Sequence, residues 1–291
     1  MSVTQVAKIV TGRVLGSALA YRLTDRWFNR PKMPYVRALN YHDTPEQFAS
    51  NFRRQLEWYA SEYVDCNQTQ LRGLIAGGDW RSEKPGILIS FDDGLKSNYE
   101  VAAPLLEELG FTGWFMIPVA FLDAASDAQE QFAIDNRISH HGLHTGNLAM
   151  SWDDVRDLER RGHVVTCHSM NHRRLTKDLT DAQFHEEIIE SKSQLESRLG
   201  HPVSGFTWVG GEESSYSAGA FRSIVQANYA EVFCTNCEPI SAHHNPLFLD
   251  RSNVESHFSL SQVRMVLGGL YDRKYSAKRK RIFNLLTLSE A

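Results

Sequence analysis

Residues 87 to 94 read Ile87-Leu88-Ile89-Ser90-Phe91-Asp92-Asp93-Gly94. A short apolar, β-branched run bounded by a turn glycine has the length and composition of a strand buried on both faces. It passes without a break into two adjacent carboxylates. Like charges this close raise the proton affinity of one of them unless a cation is near, so the strand end points either to a proton shared between acids or to a bound metal. The competing reading is a turn in which Asp92 or Asp93 caps the helix that follows.

Outward from this segment the same unit recurs. Val36 to Tyr41 is a strand, and Pro45 to Ala60 carries Phe48, Phe52, Leu56 and Tyr59 on one helical face. Downstream follow helix Asn98–Leu109, strand Thr112–Ile117, helix Trp152–Arg161, strand His163–Cys167, helix Asp181–Leu199, strand Ser204–Val209, helix Ala218–Asn228 and strand Ala230–Thr235. Gly110, Gly162 and Gly200 each stand just past a helix, and Ser151 with Asp154 has capping-box spacing. Such alternation specifies an α/β fold with a mainly parallel sheet covered by helices. Its length suits a (β/α) barrel, closed or nearly so, distorted or incomplete beside the usual ~250 residues, with active groups at the strand C-terminal ends.

Three segments are expected: a helical basic arm over 1–34 with Lys8, Arg13, Arg22, Arg26 and Arg30, the barrel over 35–270, and a basic tail over 271–291. The arm packs on its own domain or lies on an anionic membrane or a partner. The tail, with its basic run from Arg273 to Arg281, is a solvated helix end or a contact for anionic lipid or a phosphorylated carrier. Residues 122–150 break the rhythm as a long irregular excursion over one face.

With 31 Lys and Arg against 35 Asp and Glu, for a net charge of −4, no chain-wide basic field exists to hold a nucleic acid. A hydrophobic share of 42% and a charged share of 23% exclude disorder and coiled coil. Cys66, Cys167, Cys234 and Cys237 are too few for a disulfide framework, and Cys234-x-x-Cys237 lacks the second pair of a zinc site. No apolar run approaches the ~20 residues of a membrane span. Thr11, Gly12 and Arg13 interrupt the only stretch resembling a secretory leader, so the expectation is a cytoplasmic protein, with peripheral membrane contact through the arm or tail left open. The sequence is silent on oligomeric state.

A second strand delivers polar groups at its end: His163 to Cys167 runs into His168-Ser-Met-Asn-His172. His-x-x-x-His spacing sets both imidazoles on one side of a helical turn, where they can share an ion. Strand ends of a parallel barrel open on one face, so this pair can meet Asp92 and Asp93. His140 and His144 have the same spacing inside the excursion and are the rival pair.

Taken in order, Ser90-Phe91-Asp92-Asp93-Gly94, the helix ending at Gly110, Trp114-Phe115-Met116-Ile117-Pro118, Met150-Ser151-Trp152 and His168-Ser-x-x-His172 resemble the polysaccharide deacetylases with a NodB-type domain. The likeness extends from about Leu39 to about Gly269 and takes in Leu39-Asn40-Tyr41-His42-Asp43, Ser191-Lys192, Leu199-Gly200 and Asp250-Arg251-Ser252-Asn253-Val254. It implies a metal-dependent hydrolase that removes N-acetyl groups from a sugar in a polysaccharide or glycan precursor. It also implies one divalent ion on Asp93, His168 and His172, zinc ahead of cobalt or nickel, and Asp92 as general base. Many members place the general acid in a late apolar-His-Asp sequence, which is absent here after Thr235; members with rearranged strand order supply it from the first strand as Tyr-His, which assigns the acid to His42.

One segment departs from the pattern. Phe206-Thr207-Trp208-Val209-Gly210-Gly211 lacks the family's Pro and Tyr, and Thr207 stands where an arginine often holds the catalytic aspartate. Gly210 is expected to offer an oxyanion N–H, Trp208 to stack on a sugar or fill the core, and Arg251 to contact substrate. The alternatives are O-deacetylation or deformylation of a related sugar, a metal-containing glycan-binding protein without turnover, and an interaction protein without metal.

Overall fold

The computed structural model describes residues 17–29, 32–141 and 146–287. Nine strands carry the fold: β1 (Tyr35–Tyr41), β2 (Val64–Asp65), β3 (Gly86–Phe91), β4 (Gly113–Ile117), β5 (Val164–Cys167), β6 (Gly205–Thr207), β7 (Glu231–Cys234), β8 (Ile240–Ser241) and β9 (Leu249–Asn253). Seven of them close a parallel ring in the order β1-β3-β4-β5-β6-β7-β9 and back to β1. The barrel is therefore complete with one strand fewer than a (β/α)8 barrel. The two short strands thicken its lower wall. β2 pairs with Gly86 and Ile87 of β3, below the point where β4 starts pairing at Ile89, and β8 runs antiparallel to Tyr35 and Val36 of β1, below the start of the β9 ladder at Ala38.

Alternation along the strands sorts the core into two clusters. Inward residues Val36, Ala38, Leu88, Trp114, Met116 and Phe233 pack together and onto Leu71 and Leu74 of the helix Gln68–Ile75, which plugs the N-terminal end. Outward residues such as Leu39, Ile89, Phe115, Val165 and Phe206 join the larger core under the helices. Burial on both sides is why these strands read as continuous apolar runs. Nearer the C-terminal ends the inward positions turn polar: Asn40, Ser90, Thr166, Thr207 and Arg251 are all buried. Burying polar groups is costly unless they are hydrogen-bonded, and Ser90 and Arg251 wire this floor for a site, while Thr207 Oγ1 and Asn40 Oδ1 have no partner among the described residues. Ser90 Oγ, for example, donates to the Leu39 carbonyl at 2.6 Å.

Several elements differ from expectation. The plug helix and β9 were not anticipated; β9 reads Leu-Asp-Arg-Ser-Asn because Arg251 and Asn253 face this polar layer while Asp250 and Ser252 alternate on the other side of the strand. The excursion contains a helix, Gln129–Asn136, ended by Arg137 in a left-handed conformation (φ 60°). Of the arm, Ala18–Thr24 and Asp25–Asn29 form one helix docked on the barrel domain, with Tyr21 and Tyr63 hydroxyls 2.8 Å apart and Asn29 Nδ2 donating to the Leu267 carbonyl at 3.0 Å. The tail, as far as Thr287, is the helix Leu270–Thr287, and three of its basic groups are engaged: Arg279 donates to the carbonyls of Asn236 and Cys237, Arg281 binds Glu213, and Lys278 reaches the Gly211 carbonyl. Lys8, Arg13, Arg30 and His144 lie outside the described residues. Among the described residues, no helix is long and apolar enough to cross a membrane.

Arg37 bolts the last helix to the barrel. Its guanidinium points outward from β1 and holds both oxygens of Asp272 at 2.7 and 2.6 Å and Asn29 Oδ1 at 2.6 Å, with no exposed surface of its own. Removing one partner of such a pair leaves an uncompensated buried charge, so Arg37→Ala is expected to cost about 3–5 kcal/mol in denaturant unfolding, while Arg37→Met with Asp272→Leu recovers most of it. A single-variant midpoint equal to the parent's would show that the pair is not desolvated.

Candidate active site

The strand C-terminal ends open on a cavity of about 380 Å³ lined by Asp92, Asp93, His168, His172, His42 and Gly210, among others. Two strand ends build it the same way. The Asp92 N–H donates to the Tyr41 carbonyl at 2.8 Å and the His168 N–H to the Ile117 carbonyl at 2.9 Å, so each ladder runs one residue past its strand and both side chains keep the inward direction. The chain then swings away through left-handed conformations at Asp93 (φ 74°), Ser169 (φ 68°) and His172 (φ 55°). Non-glycine residues adopt such angles at a cost of about 1–3 kcal/mol, and they concentrate where a site demands them.

Asp93 Oδ1 lies 2.9 Å from His172 Nε2 and 3.7 Å from His168 Nε2, and the three ligand atoms fall within 4.8 Å of one another. Each imidazole is fixed from behind: His168 Nδ1 donates to the Thr207 carbonyl at 3.0 Å and His172 Nδ1 to the Asn136 carbonyl at 2.8 Å. A carbonyl only accepts, so each Nδ1 carries a proton and each Nε2 is turned toward Asp93, whose charge raises the proton affinity of His172 against the burial that would lower it. Asp93 Oδ1 is itself buried with no hydrogen-bond partner. Two imidazole nitrogens and an orphaned carboxylate oxygen form an electron-rich pocket that fits a divalent cation and leaves coordination positions open. Burial pushes the His168 imidazole down to about 4. Against the burial that would raise it, the Asp93 carboxyl is held well below the usual range, chiefly by His172.

Asp92 is held by Arg251. Nη1 donates to Oδ1 at 2.6 Å and to Ser90 Oγ at 2.8 Å, and Nη2 donates to Oδ2 at 2.9 Å. Burial acts to raise the carboxyl pKa, but the guanidinium, with His168 and His42, brings it below the ordinary value. Two expectations are corrected here. Arg251 does not line the cleft: it is wholly buried beneath it and donates to Asp92, Ser90 and the Cys234 carbonyl. The missing arginine of the Phe206–Gly211 segment is thus made good from β9.

His42 lines the cleft with Nδ1 2.8 Å from Glu255 Oε1. Burial would lower its pKa, but the hydrogen bond and charge of Glu255, with Asp93 and Asp92 nearby, raise it to about 10, so the ring is an imidazolium at neutral pH. Glu255 was missed in the sequence. The signal was available: inward positions along β9 alternate from Arg251 to Asn253, and the next is Glu255.

Trp208 borders the cavity but is 1% exposed and packed against Tyr216, so it offers no open face for a sugar and belongs to the core. Gly210 lines the cleft at φ 76°, where a Cβ would lie 2.8 Å from Glu212 Oε2, a carboxylate that Arg174 holds in place. Of the rival histidines, His140 sits 3.3 Å from Glu130 and does not line the cleft, whereas its neighbour His141 does. Cys234 and Cys237 are buried free thiols whose proton affinity burial raises.

A family model described as polysaccharide deacetylase matches residues 80–231, just over half of the chain. The structure resembles the deacetylase PplD of Streptococcus pyogenes, solved with acetate (TM-score 0.63, 19% identity, 80% of this chain and 98% of that one). It also resembles a de-N-acetylase from Aggregatibacter actinomycetemcomitans (0.63, 16%, 79% and 98%) and IcaB from Ammonifex degensii (0.61, 17%, 82% and 98%). At these identities the likeness is one of fold. No curated protein matches the chain in sequence. His42, Arg251 and Glu255 lie outside the matched residues, whereas Asp92, Asp93, His168 and His172 lie within them.

Because Arg251 neutralises a buried carboxylate, Arg251→Met is expected to destabilise the fold by about 3–5 kcal/mol, and adding Asp92→Asn to recover much of that loss. Additive losses in denaturant unfolding would show that the two side chains are not coupled.

Proposed function

Because this chain belongs to the polysaccharide deacetylase family, we propose that it is a metal-dependent hydrolase that removes N-acetyl groups from a sugar in a polysaccharide or glycan precursor. The observation that carries the proposal is one cleft in which an Asp-His-His donor set stands beside an arginine-held carboxylate and a glutamate-held imidazole.

Asp93, His168 and His172 would hold the ion, zinc suiting their mixed nitrogen and oxygen donors, and when bound it supplies Lewis acidity toward a water and an amide carbonyl. Asp92 accepts the proton of the attacking water. Arg251 keeps that carboxylate ionised and aimed, since both of its oxygens are fixed. The backbone N–H of Gly210 donates to the oxygen that gains negative charge as the carbonyl carbon is attacked. The C–N bond breaks only if the departing nitrogen gains a proton, and His42, charged at neutral pH through Glu255, gives it one from Nε2. Acetate and a free amine result. An ester or formamide would suit the same groups. An amide depends more heavily on protonation of its leaving atom than an ester does, so His42→Asn should depress amide turnover the more.

Elemental analysis of the purified chain is expected to find about one divalent ion per molecule, lost in His168→Ala. Asp92→Asn should retain the ion while acetate release from N-acetylglucosamine oligosaccharides falls by about 10²–10⁴. A chain that binds the ion and the oligosaccharides yet releases no acetate would be a glycan-binding protein instead.

The pH profile tests His42 separately. Its raised pKa means that activity is kept while the ring is charged and lost as pH rises through about 10. Glu255→Gln removes the cause and should move that alkaline limb toward the ordinary histidine value of about 6.5. An alkaline limb that stays in place would take the acid role from His42.

A further inference from the structure

The helix formed by Ala18–Thr24 and Asp25–Asn29 has two faces. Tyr21, Asp25 and Asn29 are buried and hydrogen-bonded to the domain through Tyr63, Tyr35, Arg37 and the Leu267 carbonyl. On the opposite side Leu19, Leu23 and Trp27 are 70%, 53% and 75% exposed. Spaced four apart, they form one stripe along the helix. Arg22 and Arg26 run along its edge, both exposed, and Arg273 reaches in from the last helix to lie 5.3 Å over the Phe28 ring.

Scattered surface leucines need no explanation, but a stripe of three large apolar groups that includes a tryptophan does. Its rim is equally unusual for this chain. Arg53, Arg156, Arg160, Arg161, Arg198 and Arg281 each hold a carboxylate on the surface. Arg22, Arg26 and Arg273 have no carboxylate partner among the described residues, in a chain whose net charge is −4. The patch therefore offers an apolar ridge edged by uncompensated positive charge.

From this complementarity we propose that the stripe docks on an anionic lipid bilayer, with Leu19, Leu23 and Trp27 in the boundary between headgroups and acyl chains and the arginines on lipid phosphates. A second copy of the chain is the poorer occupant. A two-fold contact through this stripe would bring two sets of Arg22 and Arg26 together, like charge beside like. The helix lies beside Tyr35, the first residue of β1, so docking takes place at the end of the barrel away from the cleft. The inference stands apart from the proposed chemistry.

The test is sedimentation of the full chain with vesicles of phosphatidylcholine alone and of phosphatidylcholine mixed with phosphatidylglycerol, at low and raised salt. Binding is expected to the anionic vesicles, weakened by salt. Leu23→Ser with Trp27→Ser should weaken it by about tenfold or more, and Arg22→Gln with Arg26→Gln by a similar factor on anionic vesicles only. Both pairs are exposed, so unfolding midpoints should stay near the parent's, as should release of acetate from soluble oligosaccharides wherever the parent shows it. Three outcomes overturn the proposal: no binding by the parent, binding that neither pair of substitutions alters, or a dimer in light scattering that the stripe substitutions dissolve while lipid is ignored.

Discussion

The ion pair of Arg251 with Asp92 is the constraint on which the rest of the site depends. Both partners are buried at the polar end of the barrel, where a lone charge of either sign would be costly. The guanidinium satisfies both carboxylate oxygens and Ser90, and Ser90 passes its own proton to the Leu39 carbonyl, so the pair is wired into β1, β3 and β9 at once. Those are neighbouring strands at the point where the ring closes. A planar fork holding a carboxylate in two places fixes its direction as well as its charge, which lysine could not do. A carboxylate so held has little freedom left except to interact with what enters the cleft above it.

The donor set is constrained by other means. Asp93 and His172 sit on left-handed backbone, and both imidazoles are turned by main-chain carbonyls rather than by side chains. One of those carbonyls, Thr207, ends β6; the other, Asn136, ends the helix inside the long excursion. That excursion is therefore part of the site's support, and its position bears directly on the orientation of His172. Because carbonyls supply the fixation, side-chain identity at residues 136 and 207 is a poor guide to this function.

What the sequence made legible follows from the same physics. Strands apolar on both faces announce themselves, so β3, β4 and β5 could be read directly, and with them the polar ends that carry Asp92, Asp93, His168 and His172. β9 could not be read as a strand because Arg251 and Asn253 face the polar floor and the polar Asp250 and Ser252 alternate with them on the outer side, and Arg251 consequently looked like a residue available to substrate. Glu255 was hidden by the same disguise. Trp208 was ambiguous because an aromatic residue at a strand end fills a core or faces a ligand equally well until its burial is known. The tail looked free because Arg279 and Arg281 bind carbonyls and carboxylates remote in sequence, which charge patterning alone does not show.

A division of labour runs through the barrel. The residues matched by the family model carry the candidate metal donors and Asp92, whereas His42, Arg251 and Glu255 come from the end of β1, from β9 and from the segment just after β9. β1 and β9 are joined by pairing of Ala38 with Arg251, Leu39 with Ser252 and Asn40 with Asn253. That short ladder both completes the ring and sets the imidazole of His42 against Glu255 and the guanidinium of Arg251 against Asp92. Closure of the barrel is thus a condition for holding the groups proposed to move protons and not for assembly of the three candidate metal donors, which follow β3 and β5 and do not depend on the β1–β9 ladder. A chain with the β1–β9 seam opened would keep Asp93, His168 and His172 within reach of one another, with Asp92 beside them and His42 still carried by the β1–β3 ladder, and would lose Arg251 and Glu255, which fix the two groups proposed to move protons.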